Sequence, residues 1–414
     1  LVLALCLRRA RNNGYPVALA AVAFILCLEQ WFPTLFPSHF GYAFFDQTWL
    51  LQLADLGGPG VVGALPLLIQ AALYPLVRDR LSGQSLTLHA ARPLLASIAL
   101  LLLGLGYGAW RTQEVDARVA RAETLHVGIV QAAMGVFEKH LYPQRGHRLH
   151  LEGSRSLEAS QRAAGHPLDL LVWPESAYLW TLPPNANLER VLRDLTTPLL
   201  FGGLRRDMDQ DGQMGFFNTA YLIDAQAQLL GTYDKTYLLA FGEYLPLGET
   251  FPQLYELSPR TGRLSPGTHT RPLVLPGSSG DTRITTLICY EDVLPGFTRQ
   301  AVAAGQPHLL VNITNDAWFG KSQEPHIHLA MARFRAAEHH RALVRSTNSG
   351  VSAFIDPAGR VVTHGGLFTS EQLHANVPRM SQATLYETLG DWPAWLATLA
   401  SLGMLLRRRR VRPT

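Results

Sequence analysis

The sequence is poor in charge and in cysteine, and each shortage excludes something. Asp, Glu, Lys and Arg supply 16% of the 414 residues, where an average soluble protein has roughly 25%. The deficit is local: between residues 12 and 77 the only formal charges are Glu29, Asp46 and Asp55. A deficit clustered in this way excludes a wholly soluble chain coated with charge. Three cysteines, Cys6, Cys27 and Cys289, stand far apart, which excludes a disulfide framework and a CxxC metal site. There is no internal repeat and no low-complexity linker, and the length exceeds that of one ordinary domain.

Uncharged stretches run over residues 12–28, 56–77, 93–110 and 392–406. At 1.5 Å per residue, about 20 apolar residues cross a bilayer. The pattern therefore predicts spans at about 12–32, 56–77 and 93–110 within an N-terminal membrane region 1–111, and a C-terminal transmembrane helix at 392–406. Residues 1–7 look like the end of a truncated span. Cytoplasmic loops carry Lys and Arg. Arg8, Arg9 and Arg11 precede the first span; Arg78, Arg80 and Arg92 separate the second from the third; a basic tail, 407–414, follows the last; and the loop from Glu29 to Asp55 has neither Lys nor Arg. Four crossings then put the middle segment outside the cytoplasm. The net charge of +4 belongs largely to these topology signals, so the basic balance does not call for nucleic acid as a partner.

From residue 124 to about 380 the texture changes. Short β-rich runs at 125–131, 168–173, 198–203, 218–224, 284–288, 308–314 and 351–356 alternate with polar stretches, of which 148–165 and 324–345 read as helices, the second with a polar face of Arg, Glu and His. That alternation predicts an α/β layered domain. In VSAFIDPAGRVV, Asp356, Pro357 and Gly359 supply the turn of a hairpin. The stretches 178–184 and 236–241 are apolar enough for either core or a lipid-facing arm. His326, His328, His339 and His340 lack ligand spacing and no acidic or Cys cluster joins them, so no metal is expected.

Three chemically active side chains follow β-rich runs: Glu175 after LLVW, Lys235 after LLGTYD and Cys289 after ITTLI. A thiol attacks as thiolate, needs a base for its proton, and gains from a cation beside the thiolate and the oxyanion. Singly, each residue is unremarkable. The words around them, LVWPES, GTYDKTYLLAFGEYLP, LICYED and NITNDAWFG, in this order, resemble the nitrilase or carbon-nitrogen hydrolase superfamily. FGEYLP, NDAWFGKS and RSTNSG are similar to phrases of its bacterial inner-membrane branch, which acylates lipoproteins. A proline that usually precedes FGE is absent.

The resemblance implies an α-β-β-α sandwich, at 124–380, inserted between N-terminal spans and one C-terminal span, multi-pass in the inner membrane with the catalytic domain periplasmic. It implies Glu175 as general base, Lys235 as stabiliser of thiolate and oxyanion, and Cys289 as nucleophile. Glu243 and Glu291 would support them, and the Tyr290 backbone N–H would complete an oxyanion hole. Trp318, Phe319, Tyr237 and Leu238 are implied substrate contacts. The implied partners are a phospholipid acyl donor, a diacylglyceryl lipoprotein acceptor and membrane lipids, with no cofactor. Two rivals remain open on the residues: a membrane-tethered amidase or nitrilase that sends its acyl-enzyme to water, and a non-catalytic membrane scaffold.

Overall fold

The structure is a computed structural model that describes residues 1–414 except 86, 211 and 408–414. Apart from Arg407, the expected basic tail lies outside the described residues. The chain forms two compact units, Leu1–Asp116 with Thr384–Thr414, and Ala117–Ala383.

The first unit is helical. Two of its helices, Pro59–Leu81 and Ala90–Val119, are long and apolar enough to cross a membrane. Helices Val17–Trp31 and Trp392–Leu406 are apolar but have 15 residues each, about 22 Å, against a hydrocarbon core of about 30 Å. The run expected as one span at 12–32 is interrupted. A helix Val2–Asn12 ends at Asn13, Gly14 takes φ +89°, and the next helix starts only after Pro16, because proline cannot continue a preceding helix. Helices Val17–Trp31 and Trp392–Leu406 meet through small side chains, Ala20 and Ala23 near Met404, and Val22 and Leu26 near Ala397. Small residues let helix backbones approach where no water drives association.

The second unit is a sandwich of two sheets. Its strands are β1 (Thr124–Gln131), β2 (Leu170–Val172), β3 (Tyr178–Leu182), β4 (Leu199–Met208), β5 (Met214–Ile223), β6 (Leu229–Asp234), β7 (Leu273–Leu275), β8 (Thr282–Ile288), β9 (Leu309–Thr314), β10 (Ala342–Thr347), β11 (Ala353–Ile355), β12 (Val361–His364) and β13 (Glu371–Pro378). One sheet runs β13-β1-β2-β4-β5-β6 with β3 beside β4, and the other β12-β11-β10-β9-β8-β7. The centre of each is parallel, β1-β2-β4 in the first and β8-β9-β10 in the second; β3 also runs parallel to β4, and the other strands are antiparallel.

Alternate residues of each run serve different layers. Val127, Ile129, Leu170, Val172, Ile284, Ile288, Leu309, Val311 and Ile313 point between the sheets. Val130, Leu171, Leu199 and Phe201 pack outward against helix Pro143–Ala163 through Leu151 and Leu157, while Leu310 and Leu343 pack against Ala332 and Ala336 of helix Glu324–His339. Both faces of each sheet are therefore covered, which is why the strands read as continuous apolar runs. The layering is α-β-β-α, as the resemblance implies.

Two expectations need correction. The helix read over 324–345 ends at His339: His340 adopts the left-handed conformation (φ 47°, ψ 47°), and the chain then enters β10, paired in parallel with β9. The polar face of Arg, Glu and His is buried at Arg335, Glu338 and His339, with Arg335 and Glu338 paired at 2.6 Å. Of the two readings of 178–184, core prevails over the arm for β3, whose Tyr178 and Leu182 are buried against Trp173 and Phe201.

Candidate active site

Glu175 lies three residues beyond the end of β2, Lys235 directly follows β6, and Cys289 directly follows β8. Strands from both sheets thus deliver the three side chains to one place. Local backbone at each is unusual. Ser176, next to Glu175, has φ +51°, Phe241, two residues before Glu243, has φ +64°, and Cys289 itself has φ +52°. Left-handed backbone at non-glycine residues costs about 1 kcal/mol or more and gathers at functional sites. The turn at Glu175 also presses on β4. A Cβ on Gly202 would lie 2.6 Å from the Glu175 Cα, so only glycine lets the strand pass beneath it.

Hydrogen bonds join the groups into one network. The Asn218 amide, on β5, donates through Nδ2 to Glu175 Oε1 at 2.7 Å and to Glu243 Oε1 at 3.0 Å. The other Glu243 oxygen pairs with Lys235 Nζ at 2.7 Å and accepts the Leu239 N–H at 2.8 Å. Glu291 binds neither Lys235 nor Cys289 directly. It accepts the Tyr233 hydroxyl and the N–H groups of Thr236, Tyr237 and Ile288 at 2.7 to 3.0 Å, and so ties the segment after Lys235 to the segment before Cys289.

Electrostatics set the protonation states. Burial pushes the Cys289 thiol well above its ordinary value and the Glu175 charge adds to this, while Lys235 and a hydrogen bond with Thr314 work the other way. Burial likewise raises Glu175, against the pull of Lys235. Although burial disfavours its charge, Lys235 is raised, because Glu243, Cys289 and Glu175 surround it. The resting site therefore holds a neutral thiol, a carboxylate made more basic by burial, and a permanent cation. A thiol of this kind is a nucleophile only while it gives up its proton, and a basic carboxylate with a neighbouring ammonium provides for that.

Tyr237 and Leu238 line a cavity of about 800 Å³ together with Thr236, Tyr244, Leu245, Leu247, Tyr255 and Arg263. Tyr237 is 50% exposed there and its ring lies 5.9 Å from that of Tyr290. Trp318 and Phe319 are not among these lining residues. They sit on a short 3-10 turn, 68% and 38% exposed.

Several residues of the site were not anticipated. Asn218 sits inside a run read only as a strand. Lys139, on the short helix Val136–Leu141, is buried and interacts electrostatically with Glu175 and Cys289. Behind the nucleophile, Asp292 accepts from His328 Nε2 at 2.5 Å and from Arg345 at 3.1 Å. Arg345 also reaches Asp316 at 2.9 Å and Asn312 at 2.6 Å, and Asn312 in turn donates to the carbonyls of Leu287 and Cys289. Asp316, Glu324 and His328 lie close enough to share an ion, but both His328 ring nitrogens already face carboxylates and a guanidinium occupies Asp316. Against burial and Arg345, which lower it, Asp292 and Asp316 carry His328 up to about 9.

Comparison with known proteins gives the family of the chain. Residues 128–386 match the family model described as carbon-nitrogen hydrolase. The chain is 33% identical to an apolipoprotein N-acyltransferase of Bradyrhizobium diazoefficiens over 94% of its own length and 73% of the relative's. It is 36% identical to one of Azotobacter vinelandii, covering 98% and 76%. Among solved structures, an amidase from Nesterenkonia sp. aligns with a TM-score of 0.42 at 19% identity, over 62% of this chain and 91% of that one.

Proposed function

This chain belongs to the carbon-nitrogen hydrolase family, beside its apolipoprotein N-acyltransferases, and from that membership we infer that it is an acyltransferase that N-acylates lipoproteins through a thioester on Cys289. In the first half-reaction, Sγ attacks the ester carbonyl of a phospholipid while Glu175 takes the thiol proton. The oxyanion forms beside Lys235 and the Tyr290 N–H. As the C–O bond breaks, the lysophospholipid oxygen takes the proton back from Glu175. In the second, the α-amine of a diacylglyceryl-cysteine attacks the thioester, Glu175 accepts its proton, the C–S bond breaks, and the proton returns to Cys289. Atoms and charge balance without a cofactor. The observation that carries this is the Glu175–Asn218–Glu243–Lys235 network beside a neutral, buried thiol: base and cation are both held in place before substrate arrives, and fixed dipoles need no reorganisation during reaction.

The wall of leucine and tyrosine that begins at Thr236, one residue beyond Lys235, is suited to the donor's acyl chain. It would also keep water from the thioester, which separates a transferase from a hydrolase. For the membrane part we propose four crossings, with the two 15-residue helices completed by their flanks, and, from the arginine pattern, the catalytic unit in the periplasm. Impermeant thiol labelling in a Cys289→Ala background tests this. Ala164→Cys, on an exposed turn, should react in intact cells with a permeabilised outer membrane and Thr414→Cys should not; the reverse pattern overturns the orientation.

Intact-mass spectrometry of the protein with phospholipid tests the chemistry. The expected result is one acyl adduct on Cys289 that persists without acceptor and discharges to a diacylglyceryl-cysteine peptide with a free α-amine, but not to its N-acetylated form. Equal decay in all three conditions with release of free fatty acid would return the chain to the hydrolase reading.

A further inference from the structure

Three buried residues lie side by side across the parallel centre of the sheet that carries Cys289. In the register of β8, β9 and β10, Leu287 pairs with Asn312, and Asn312 pairs with Arg345. A guanidinium can only donate hydrogen bonds. The Asn312 oxygen therefore faces Arg345, whose Nη1 donates to Oδ1 at 2.6 Å, and the amide nitrogen is turned the other way. There Nδ2 donates to two carbonyls, that of Leu287 at 3.2 Å and that of Cys289 at 3.4 Å. Both polar atoms of this side chain are thus engaged, and on opposite sides.

The guanidinium is itself well fixed. It donates to Asp292 at 3.1 Å and to Asp316 at 2.9 Å, and the His328 ring bridges the same two carboxylates, at 2.5 Å and 3.1 Å. Asp292 belongs to the turn Cys289–Val293, Asp316 to the turn Asp316–Phe319 and His328 to the helix Glu324–His339. Three elements besides β10 therefore hold Arg345, and through it they hold the Asn312 amide.

The carbonyl of Cys289 and the N–H of Tyr290 are two ends of one peptide group. A trans peptide is planar, with C=O and N–H pointing in opposite directions, so whatever grips the oxygen also aims the N–H. This plane is one that needs a grip, because Cys289 has φ +52°, a conformation that residues with a Cβ adopt against a penalty. The bond to the Leu287 carbonyl anchors the same amide two residues earlier, on β8. Resting on the thioester reading, we propose that Asn312 is a positioning residue that holds the Cys289 carbonyl and thereby turns the Tyr290 N–H onto the acyl oxyanion. Asn312 acts through the peptide plane, so it bears on the step in which the carbonyl carbon becomes tetrahedral. The reactivity of the sulfur itself depends on other groups, Glu175 and Lys235.

Two reagents separate these steps on the full chain in detergent. Phospholipid acylates Sγ through an oxyanion, whereas iodoacetamide alkylates Sγ at a saturated carbon, with iodide leaving and no oxyanion formed. Both rates are read by intact mass, with peptide mapping assigning the adduct to Cys289. In Asn312→Leu, which keeps much of the volume and removes the donor, loading from phospholipid should fall by about ten- to a hundredfold, somewhat less than for outright loss of an oxyanion donor. Alkylation should stay close to the wild-type rate. Asn312→Ala should give the same split, and thermal unfolding shows which of the two variants is folded. Lys235→Met, which removes support from thiolate and oxyanion together, should slow both reagents. A merely structural role for Asn312 would leave the ratio of loading to alkylation unchanged. If a folded Asn312 variant keeps the wild-type ratio, the inference is wrong while the thioester chemistry stands. Wild type that is alkylated at Cys289 but never loaded from phospholipid would remove the thioester reading, and the inference with it.

Discussion

The two units treat buried charge in opposite ways. In the helical unit charge is seldom buried, and what is inside is paired at once: Asp55 accepts from Arg111 Nε at 2.6 Å and from the Tyr107 hydroxyl at 2.9 Å, and Glu29 accepts the Phe40 N–H at 2.7 Å with His39 at 3.5 Å. The sandwich instead buries carboxylates, arginines, lysines and a protonated histidine side by side. A helix bundle of apolar sequence gains nothing from an ion it need not hold, and each one costs desolvation. On the mechanism proposed above, the sandwich spends that same cost on a reaction. Ions there lie in two sets, one of which holds Cys289's proton acceptor and one of which fixes the backbone behind Cys289.

Substitutions can break or sharpen this contrast. The greatest loss should follow removal of the nucleophile: Cys289→Ala should abolish acyl loading with the fold intact by circular dichroism, and Cys289→Ser should be nearly as inactive, since a hydroxyl is a far weaker acid. Next comes the front set. Lys235→Met should slow thioester formation by at least about 10²- to 10³-fold, read as single-turnover loading. Arg345→Met, in the rear set, leaves two buried carboxylates, Asp292 and Asp316, to share the one cation of His328 and should destabilise the sandwich by about 3–5 kcal/mol, measured by chemical denaturation. Its counterpart in the helical unit, Arg111→Met, should cost less, about 1–3 kcal/mol, because Tyr107 still serves Asp55. An equal cost in the two units would erase the contrast.

The smallest effect is a dependence on pH. His328 titrates higher in the folded protein than its ordinary 6.5, at about 9, so its contribution is fully present below pH 6.5 and is lost as pH rises through 9. Asp316 is shifted the other way. Burial raises it, but Arg345 and His328 overcome this and hold it at about 2, so its contribution is present above pH 3.8 and is lost as pH falls through 2. The difference in melting temperature between wild type and His328→Gln should therefore be flat from pH 4 to 6.5 and close towards pH 9. A difference that grows above pH 7 would contradict a charged His328.

Glu175, Lys235 and Cys289 could be picked out in the sequence as a candidate site because each stands just past an apolar run, where α/β folds put their chemistry, and because the words around them are distinctive. Most strands were legible for a similar reason, their alternation serving two covered faces. What stayed hidden depends on partners distant in the chain. Asn218 reads as one polar residue in a strand until β5 sets it against Glu175 and Glu243. Nothing in MGVFEKH ties Lys139 to Cys289. The polar face of helix Glu324–His339 has the same periodicity whether water or an ion pair covers it, so the pairing of Arg335 with Glu338 could not be read from it. Strand β13 was different: Leu373, Ala375 and Val377 pack towards the core while Gln372, His374 and Asn376 are exposed, a period-two signal carried by a mostly polar run.

One consequence remains in the backbone of Cys289, held at φ +52°. Glycine occupies that region freely and other residues do so against a penalty. Cys289→Gly, which ends the chemistry, should relax the strand end and leave the sandwich as stable as wild type or more so. Selection for folding alone would therefore drift towards an inactive chain at this position. On the mechanism proposed above, a trade-off between stability and activity is concentrated there in one pair of dihedral angles.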